Sequence, residues 1–371
     1  MTDDASVRML TELTGLPTAA GREGHVIDYI KRWCRRQRGL RLRADGHGNL
    51  IIKRTGVNSR RPIVLAAHMD HPAFVVTSVE GSHVHALFRG GVHTSYFLHS
   101  RVVVEPRGVG GTIVDVVEGE DGRNQRVRVE MDAPADAAPG AIMRWDLPRP
   151  RIEDDRLHAP ACDDLAGVAA ALQALGELAA EDRLDADVRV LLTRAEEVGF
   201  IGAMAACRSG LLPRAARVVA LENSKAFDDS PLAAGPILRV GDKTATFDPD
   251  LTYRLGQVAE ELARHNDAAF TYQRKLMPGG TCEASAYQAY GYRAACLCLP
   301  LANYHNMNEA TGRIDSETIS VGDYRALVAW LVAVARRLDA AGPALSLRTR
   351  LDDLFARRAA ILEEDPAADR T

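Results

Sequence analysis

No two of the six cysteines (Cys34, Cys162, Cys207, Cys282, Cys296, Cys298) stand in a CxxC pair. That spacing argues against a disulfide framework and against a structural zinc knuckle. Cys296 and Cys298 alternate within an apolar run and read as buried thiols, so reduced cysteines and a cytoplasmic location are expected. Long hydrophobic runs are also missing. The longest, AGVAAALQALGELAA, is Ala-rich, broken by polar residues and short of a membrane span. The opening MTDDASVRML is acidic and has no apolar h-region, so no signal peptide is expected. No basic block accompanies the net charge of −4, which points away from nucleic acid and membrane surfaces as partners. Internal repeats and low-complexity tracts are absent.

What is there is an ordinary globular composition, 46% hydrophobic and 26% charged, in 371 residues. That length exceeds one usual core and predicts about two domains. Residues 5–38 read as helical, with Val26, Ile27, Tyr29, Ile30 and Trp33 mostly on one face. LRADGHGNLIIKR reads as a hairpin, and RPIVLAAHMD as a buried strand of a parallel sheet. Residues 73–150 change character to short, alternating, β-branched segments between Gly-rich turns, which predicts a small all-β barrel or sandwich. From 151 to 342 helices alternate with the strands DVRVLLT, ARVVALEN and AACLCLPL, so the fold class is α/β, a mostly parallel sheet flanked by helices. The β segment is then an insertion between residues 1–72 and 151–342 of one α/β domain. Residues 343–371 read as a helical tail with a polar end.

In such a sheet, ligands gather outside the carboxyl ends of the strands. RPIVLAAHMD delivers His68 and Asp70 there. The loop before the central helix carries Asp163 and Asp164, DVRVLLT leads into Glu196 and Glu197, ARVVAL into Glu222, and AACLCLPL into His305. Each has a bland reading alone: a satisfied histidine, a helix N-cap aspartate, solvated loop glutamates. Together, five segments bringing His, Asp or Glu to one sheet edge call for a shared positive charge. A pair of divalent ions supplies it. Imidazole and carboxylate donors suit Zn²⁺, with Co²⁺ or Mn²⁺ as alternatives.

The motifs AAHMDHPAF, APACDDLAG, TRAEEVGFIGA and MPGGT, in this order, resemble the M42 family of dinuclear metallo-aminopeptidases, in the clan shared with M28 and M20 peptidases. LTGLPTAAGREGHVIDYI is similar to that family's opening helix, and the resemblance covers about residues 8–335. It implies a zinc-peptidase-like fold with a β-barrel insertion used in assembly or as a lid. It implies His68, Glu197, Glu222 and His305 as ligands of two metal ions and Asp163 as the carboxylate bridging them. Glu196 matches the general base acting on a metal-bridged water, and Asp70 the carboxylate that orients the imidazole of His68. A cis peptide between Asp163 and Asp164, a peptide substrate cut at its N-terminus, and a homo-oligomer (dimer or larger) are implied too. Apolar edge strands within residues 74–117 would permit such assembly.

Several positions depart from the family pattern. Glu222 stands where Asp is usual, His71-Pro72-Ala73 where Glu-Ile-Gly is common, Leu165 where Arg is common, and Cys282 where Asp is frequent, with Glu283 next. NYHNMNE around His305 differs from the usual serine-rich sequence. His71 is expected at the surface, Cys282 as a buried small residue, and His93 as a loop histidine rather than a contributor to a neighbour's site. A free substrate amine would need an acidic group, Glu222 or Glu283. Two rival readings remain. An M20-like amidohydrolase (a carboxypeptidase or N-acyl amino acid deacylase) would need a basic grip on a carboxylate, with Arg274 and Lys275 as candidates unless TYQRKLMPGG is a solvated loop. A catalytically inactive binding protein would be expected to have lost a ligand or the base, and none is missing here.

Overall fold

The computed structural model describes residues 5–59, 61–106, 108–119, 124–134, 137–181, 184–265, 270–340 and 345–363. The helical region expected over 5–38 is two helices. Helix α1 (Ala5–Thr14) buries Met9, Leu10 and Leu13, and α2 (Gly24–Arg36) buries Val26, Ile30 and Cys34 at helical spacing. Between them Pro17 disfavours a helical Leu16, and Gly21 takes a φ of +79°. The hairpin follows as β1 (Leu40–Ala44) and β2 (Leu50–Arg54), antiparallel in register. Asp45 closes its turn by accepting the backbone N–H groups of His47 and Asn49. Strand β3 (Ile63–His68) is buried throughout.

The chain then forms a closed antiparallel barrel of six strands: β4 (Ala73–Glu80), β5 (His83–Arg89), β6 (Arg101–Val104), β7 (Val109–Val117), β8 (Arg126–Met131) and β9 (Ile142–Trp145), in the order β4-β5-β8-β7-β6-β9. The alternation visible in the sequence is the pleat. In β5, Val84, Ala86 and Phe88 point inward and are buried. Phe74, Phe88, Phe97 and Trp145 fill the centre, mostly edge to face, with centroids 4.8–5.9 Å apart. Closure pairs every barrel strand on both sides, so the free edge strands expected within 74–117 do not exist among the described residues.

After β10 (Arg151–Glu153) and β11 (Arg156–Ala159) the α/β pattern resumes. It runs through α3 (Leu165–Ala179), β12 (Val188–Thr193), α4 (Ile201–Arg208), β13 (Arg217–Lys225), β14 (Ile237–Gly241), α5 (Pro249–His265), β15 (Gln273–Leu276), α6 (Glu283–Ala289) and β16 (Arg293–Leu301). The short pair β17 (Met307–Asn308) and β18 (Arg313–Ile314) leads to β19 (Glu317–Ser320), α7 (Val321–Arg337) and α8 (Leu345–Arg358). The main sheet runs β1-β2-β12-β3-β13-β16-β14-β15, and its four central strands, β12, β3, β13 and β16, are mutually parallel. Helix α3 is buried nearly all round because alanine lets it sit close to the sheet and the neighbouring helices. TYQRKLMPGG is not a solvated loop: Gln273–Leu276 pairs with β14 as the outermost strand. The sequence also predicts a helix over LTYRLGQVAEELARHND; its last two residues, the domain boundary at 342/343 and the polar end from 364 onward lie outside the described residues. No described helix is long and apolar enough to cross a membrane.

Candidate metal centre

The four parallel strands bring their carboxyl ends level. Thr193 of β12 lies opposite His68 of β3, and Ala220 of β13 opposite Ala66. Glu222 therefore sits inside β13, which continues to Lys225 instead of ending at Asn223, and pairs with Cys298 of β16. His305 follows β16 in a tight turn with a φ of +54°. Asp163 and Asp164 precede α3 and are joined by a cis peptide bond.

All the site residues singled out in the sequence meet here. His68 Nε2 lies 3.4 Å from Asp163 Oδ1 and 3.9 Å from both Glu196 Oε2 and Glu222 Oε2. His305 Nε2 lies 3.6 Å from Asp163 Oδ2 and 3.5 Å from Glu197 Oε2. Three overlapping groups each have donor atoms within 4.8 Å of one another: His68, Glu196 and Glu197; His68, Asp163 and Glu222; Asp163, Glu197 and His305. Three buried oxygens, Asp163 Oδ1, Glu197 Oε1 and Glu222 Oε1, have no hydrogen-bond partner. Buried carboxylates rarely stand unpaired, and this donor set fits a divalent cation. Burial pushes the carboxyls of Glu196, Glu197 and Glu222 well above their ordinary range, with neighbouring acids adding to the effect. Burial would raise Asp163 too, but the facing imidazoles of His305 and His68 hold it low.

A set of buried polar groups fixes the backbone beneath these side chains. The carboxylate of Asp70 accepts the backbone N–H groups of both Glu196 (3.0 Å) and Glu197 (3.1 Å). The nearer acceptor for His68 Nδ1 is the backbone carbonyl of Asp70 at 3.1 Å, with the carboxylate at 3.7 Å. Glu317 binds the backbone N–H groups of Cys162, Asp163 and His305. Glu23, fully buried, accepts from Ala195 N and pairs with Arg194 at 2.7 Å. Asp164 occupies the N-cap position of α3 without capping it. Its side chain accepts instead from His68 N and Asn223 Nδ2. A Cβ on Gly167 would lie 2.2 Å from Asp164 Oδ1, so only glycine at this position in the first turn of α3 leaves room for the Asp164 side chain.

His71 is not at the surface. It is 4% exposed, with Nδ1 2.6 Å from the carbonyl of Asp163 and Nε2 3.0 Å from Asn306 Oδ1. The four-residue link between β3 and β4 places His71 against the Asp163 peptide. Glu317, Glu23 and Asn306 carried no sequence signal, since their partners are mainly backbone groups far along the chain. Cys282 is buried as expected, and Glu283 is buried against Thr193 and Tyr287. His93 is exposed. Arg274 is exposed on the outermost strand, and Lys275 beside it pairs with Asp229.

The sequence matches the profile of the M42 glutamyl aminopeptidase family over residues 48–320. No curated protein sequence is significantly similar to the chain. Among solved structures, an aminopeptidase from the archaeon Desulfurococcus kamchatkensis superposes with a TM-score of 0.74 at 23% identity, over 91% of this chain and 97% of its own. The TET1 peptidase of Pyrococcus horikoshii, described as assembling into a tetrahedron or a large octahedral shell, gives 0.74 at 20% identity, over 89% and 99%. A TET aminopeptidase from a marine-sediment Thaumarchaeota archaeon gives 0.76 at 19%, over 91% and 100%. At these identities the likeness establishes a shared fold.

Proposed function

The chain belongs to the M42 peptidase family of metal-dependent peptide-bond hydrolases, and from that premise we propose that it is an aminopeptidase working with two divalent ions. The observation that carries this reading is the carboxylate of Asp163, which turns one oxygen to His68 and the other to His305. His68 and Glu222 would hold one ion and His305 and Glu197 the second, with Asp163 shared between them. Imidazole and carboxylate donors favour Zn²⁺, with Co²⁺ or Mn²⁺ as alternatives. When bound, such ions polarise the scissile carbonyl and acidify the attacking water.

The chain's own groups do the rest. Glu196 is the general base. Its side chain is 11% exposed against 5% for Glu197, so it faces the more open side of the site. Burial makes its carboxylate a stronger base than an ordinary one, suited to take the proton of the attacking water, which it would then pass to the leaving amine. Asp70 keeps the two adjacent glutamates splayed by holding both of their backbone N–H groups. Of the two acidic groups considered for a free substrate amine, Glu283 has both oxygens engaged by Thr193 and Tyr287, which leaves Glu222. Arg274 and Lys275 stand on the outermost strand, which gives no support to a carboxylate grip of the M20 kind.

Residues 73–150 are assigned as an inserted unit within an α/β domain formed by 1–72 and 151–342. The assemblies named for the related peptidases, a dodecamer and closed shells, support a homo-oligomer. Six buried, unbridged cysteines suit a reducing compartment such as the cytoplasm. The test is cleavage of free-amine peptides and their N-acetylated forms after metal removal and again after adding Zn²⁺, Co²⁺ or Mn²⁺. Metal-dependent release of N-terminal residues from the free-amine set alone is expected. Cleavage of the acylated set alone would assign the protein as a deacylase.

A further inference from the structure

Glu23 stands at the N-cap position of α2, but its side chain does not cap that helix. It turns inward and is fully buried. One oxygen accepts the backbone N–H groups of Gly21 at 2.7 Å and Ala195 at 3.1 Å, and the other accepts Arg194 Nε at 2.7 Å. Two of these three hydrogen bonds therefore go to the segment after β12, more than 170 positions along the chain. Arg194 also donates to the carbonyl of His47 at 2.8 Å, which ties the ion pair to the turn between β1 and β2.

The segment held in this way leads straight into Glu196. Strand β12 ends at Thr193, and each of the next four backbone N–H groups is taken by a side-chain oxygen. Arg194 N goes to Asn49, Ala195 N to Glu23, and Glu196 N and Glu197 N to the two oxygens of Asp70. All three acceptor residues are fully buried. Within the segment Ala195 has a φ of +53°, in the left-handed region that is costly for a residue with a Cβ. Such a conformation beside reacting groups persists only where the surroundings enforce it. The left-handed residue marks a change of direction: its own N–H meets Glu23, and the next two meet Asp70. Glu23 is thus the group that grips the strained residue, one position before Glu196.

We propose that Glu23 is a positioning residue for the general base, keeping Ala195 left-handed and so aiming the carboxylate of Glu196 into the site. The inference rests on the reading of Glu196 as that base. None of the hydrogen bonds of Glu23 reaches a candidate metal ligand, and Glu197 N stays on Asp70 without it. E23A should therefore keep the metal content and KM of the wild type and lose about 100-fold in kcat, the scale of a displacement of about 1 Å. E23A/A195G should recover about tenfold of that loss, because glycine takes the left-handed conformation without the penalty that alanine carries. E23Q keeps an oxygen for Ala195 N but sets its NH₂ against Arg194 Nε, so its kcat should fall between those of E23A and the wild type. Hydrogen exchange over residues 194–197 of the chelated proteins, faster in E23A than in the wild type, reads the grip without any turnover. Wild-type kcat in E23A, loss of its metal, unchanged exchange, or a double variant no faster than E23A would each overturn the positioning. A wild type that cleaves none of the peptides, while exchange still responds to E23A, would instead overturn the aminopeptidase reading and leave the grip on Ala195 supported.

Discussion

Glu317 accepts the backbone N–H of Asp163 at 3.0 Å. The same oxygen takes Cys162 N at 2.7 Å, and the other oxygen takes His305 N at 2.9 Å. One buried carboxylate on β19 thus fixes both the residue shared between the two candidate metal positions and a terminal imidazole. Glutamine at this position keeps the volume but must oppose one of the three N–H groups with its own NH₂. E317Q should therefore weaken metal binding by about 10- to 100-fold, the usual effect of losing a group behind a ligand. Turnover should return at excess metal. Calorimetric metal titration checks this, and wild-type affinity in E317Q would mean the two backbone positions are held without Glu317.

Glu196 and Glu197 are neighbours with different geometry. Glu197 reaches toward His305, whereas Glu196 reaches only toward His68 at 3.9 Å. E196Q should keep the metal content of the wild type and lose about 10²- to 10⁴-fold in kcat, the range for a missing general base. D163A should lose the metal itself. Metal analysis beside kcat separates the two, and an ion missing from E196Q would reassign Glu196 as a ligand.

Much of the site was legible because strand ends announce themselves. A buried β-run that leads into His, Asp or Glu is unremarkable once, but four such ends on one sheet edge, joined by Asp163 on the loop before α3, converge on a shared cation. The groups that hold the site were not legible. His71 contacts the carbonyl of Asp163 and the side chain of Asn306, 92 and 235 positions away, and no local pattern encodes either contact. Glu23 and Glu317 bind backbone N–H groups, which nearly every residue offers, so their partners leave no trace in residue type. The extent of β13 beyond Glu222 was hidden too, since Asn223, Ser224 and Lys225 are weak strand formers that stay in the sheet through pairing with β16. The barrel's pleat was readable from alternation, but its closure depends on β9 pairing with both β4 and β6.

Metal removal should destabilise the protein. Without a cation the centre holds Glu196, Glu197 and Glu222 in a cluster whose carboxyls are raised by burial and by neighbouring acids. Binding only to the folded state contributes about 2.7 kcal/mol at a metal concentration about a hundred times the dissociation constant. The melting temperature should fall on chelation and climb with added metal. D163A should show neither response. A wild-type melting temperature unchanged by chelator would mean that the cluster is stable without a bound ion.

Glu283 gives a pH signature outside the ligand set. It is 2% exposed, accepts the hydroxyls of Thr193 at 2.6 Å and Tyr287 at 3.2 Å, and burial lifts its pKa from 4.5 to about 7 against those hydrogen bonds. A carboxyl raised in the folded state binds more protons there than in the unfolded chain, so its contribution to stability falls as pH rises. That contribution is complete below about 4.5 and is lost by the time the pH passes about 7. E283Q cannot titrate, so the stability of the wild type relative to E283Q should decline between those limits and level off above them. Urea unfolding of both chelated proteins at about pH 5, 6, 7 and 8, spanning the window in which a raised carboxyl loses its proton, measures the difference directly. Parallel profiles would mean that Glu283 ionises in its ordinary range, so that Thr193 and Tyr287 offset the whole cost of burying its charge.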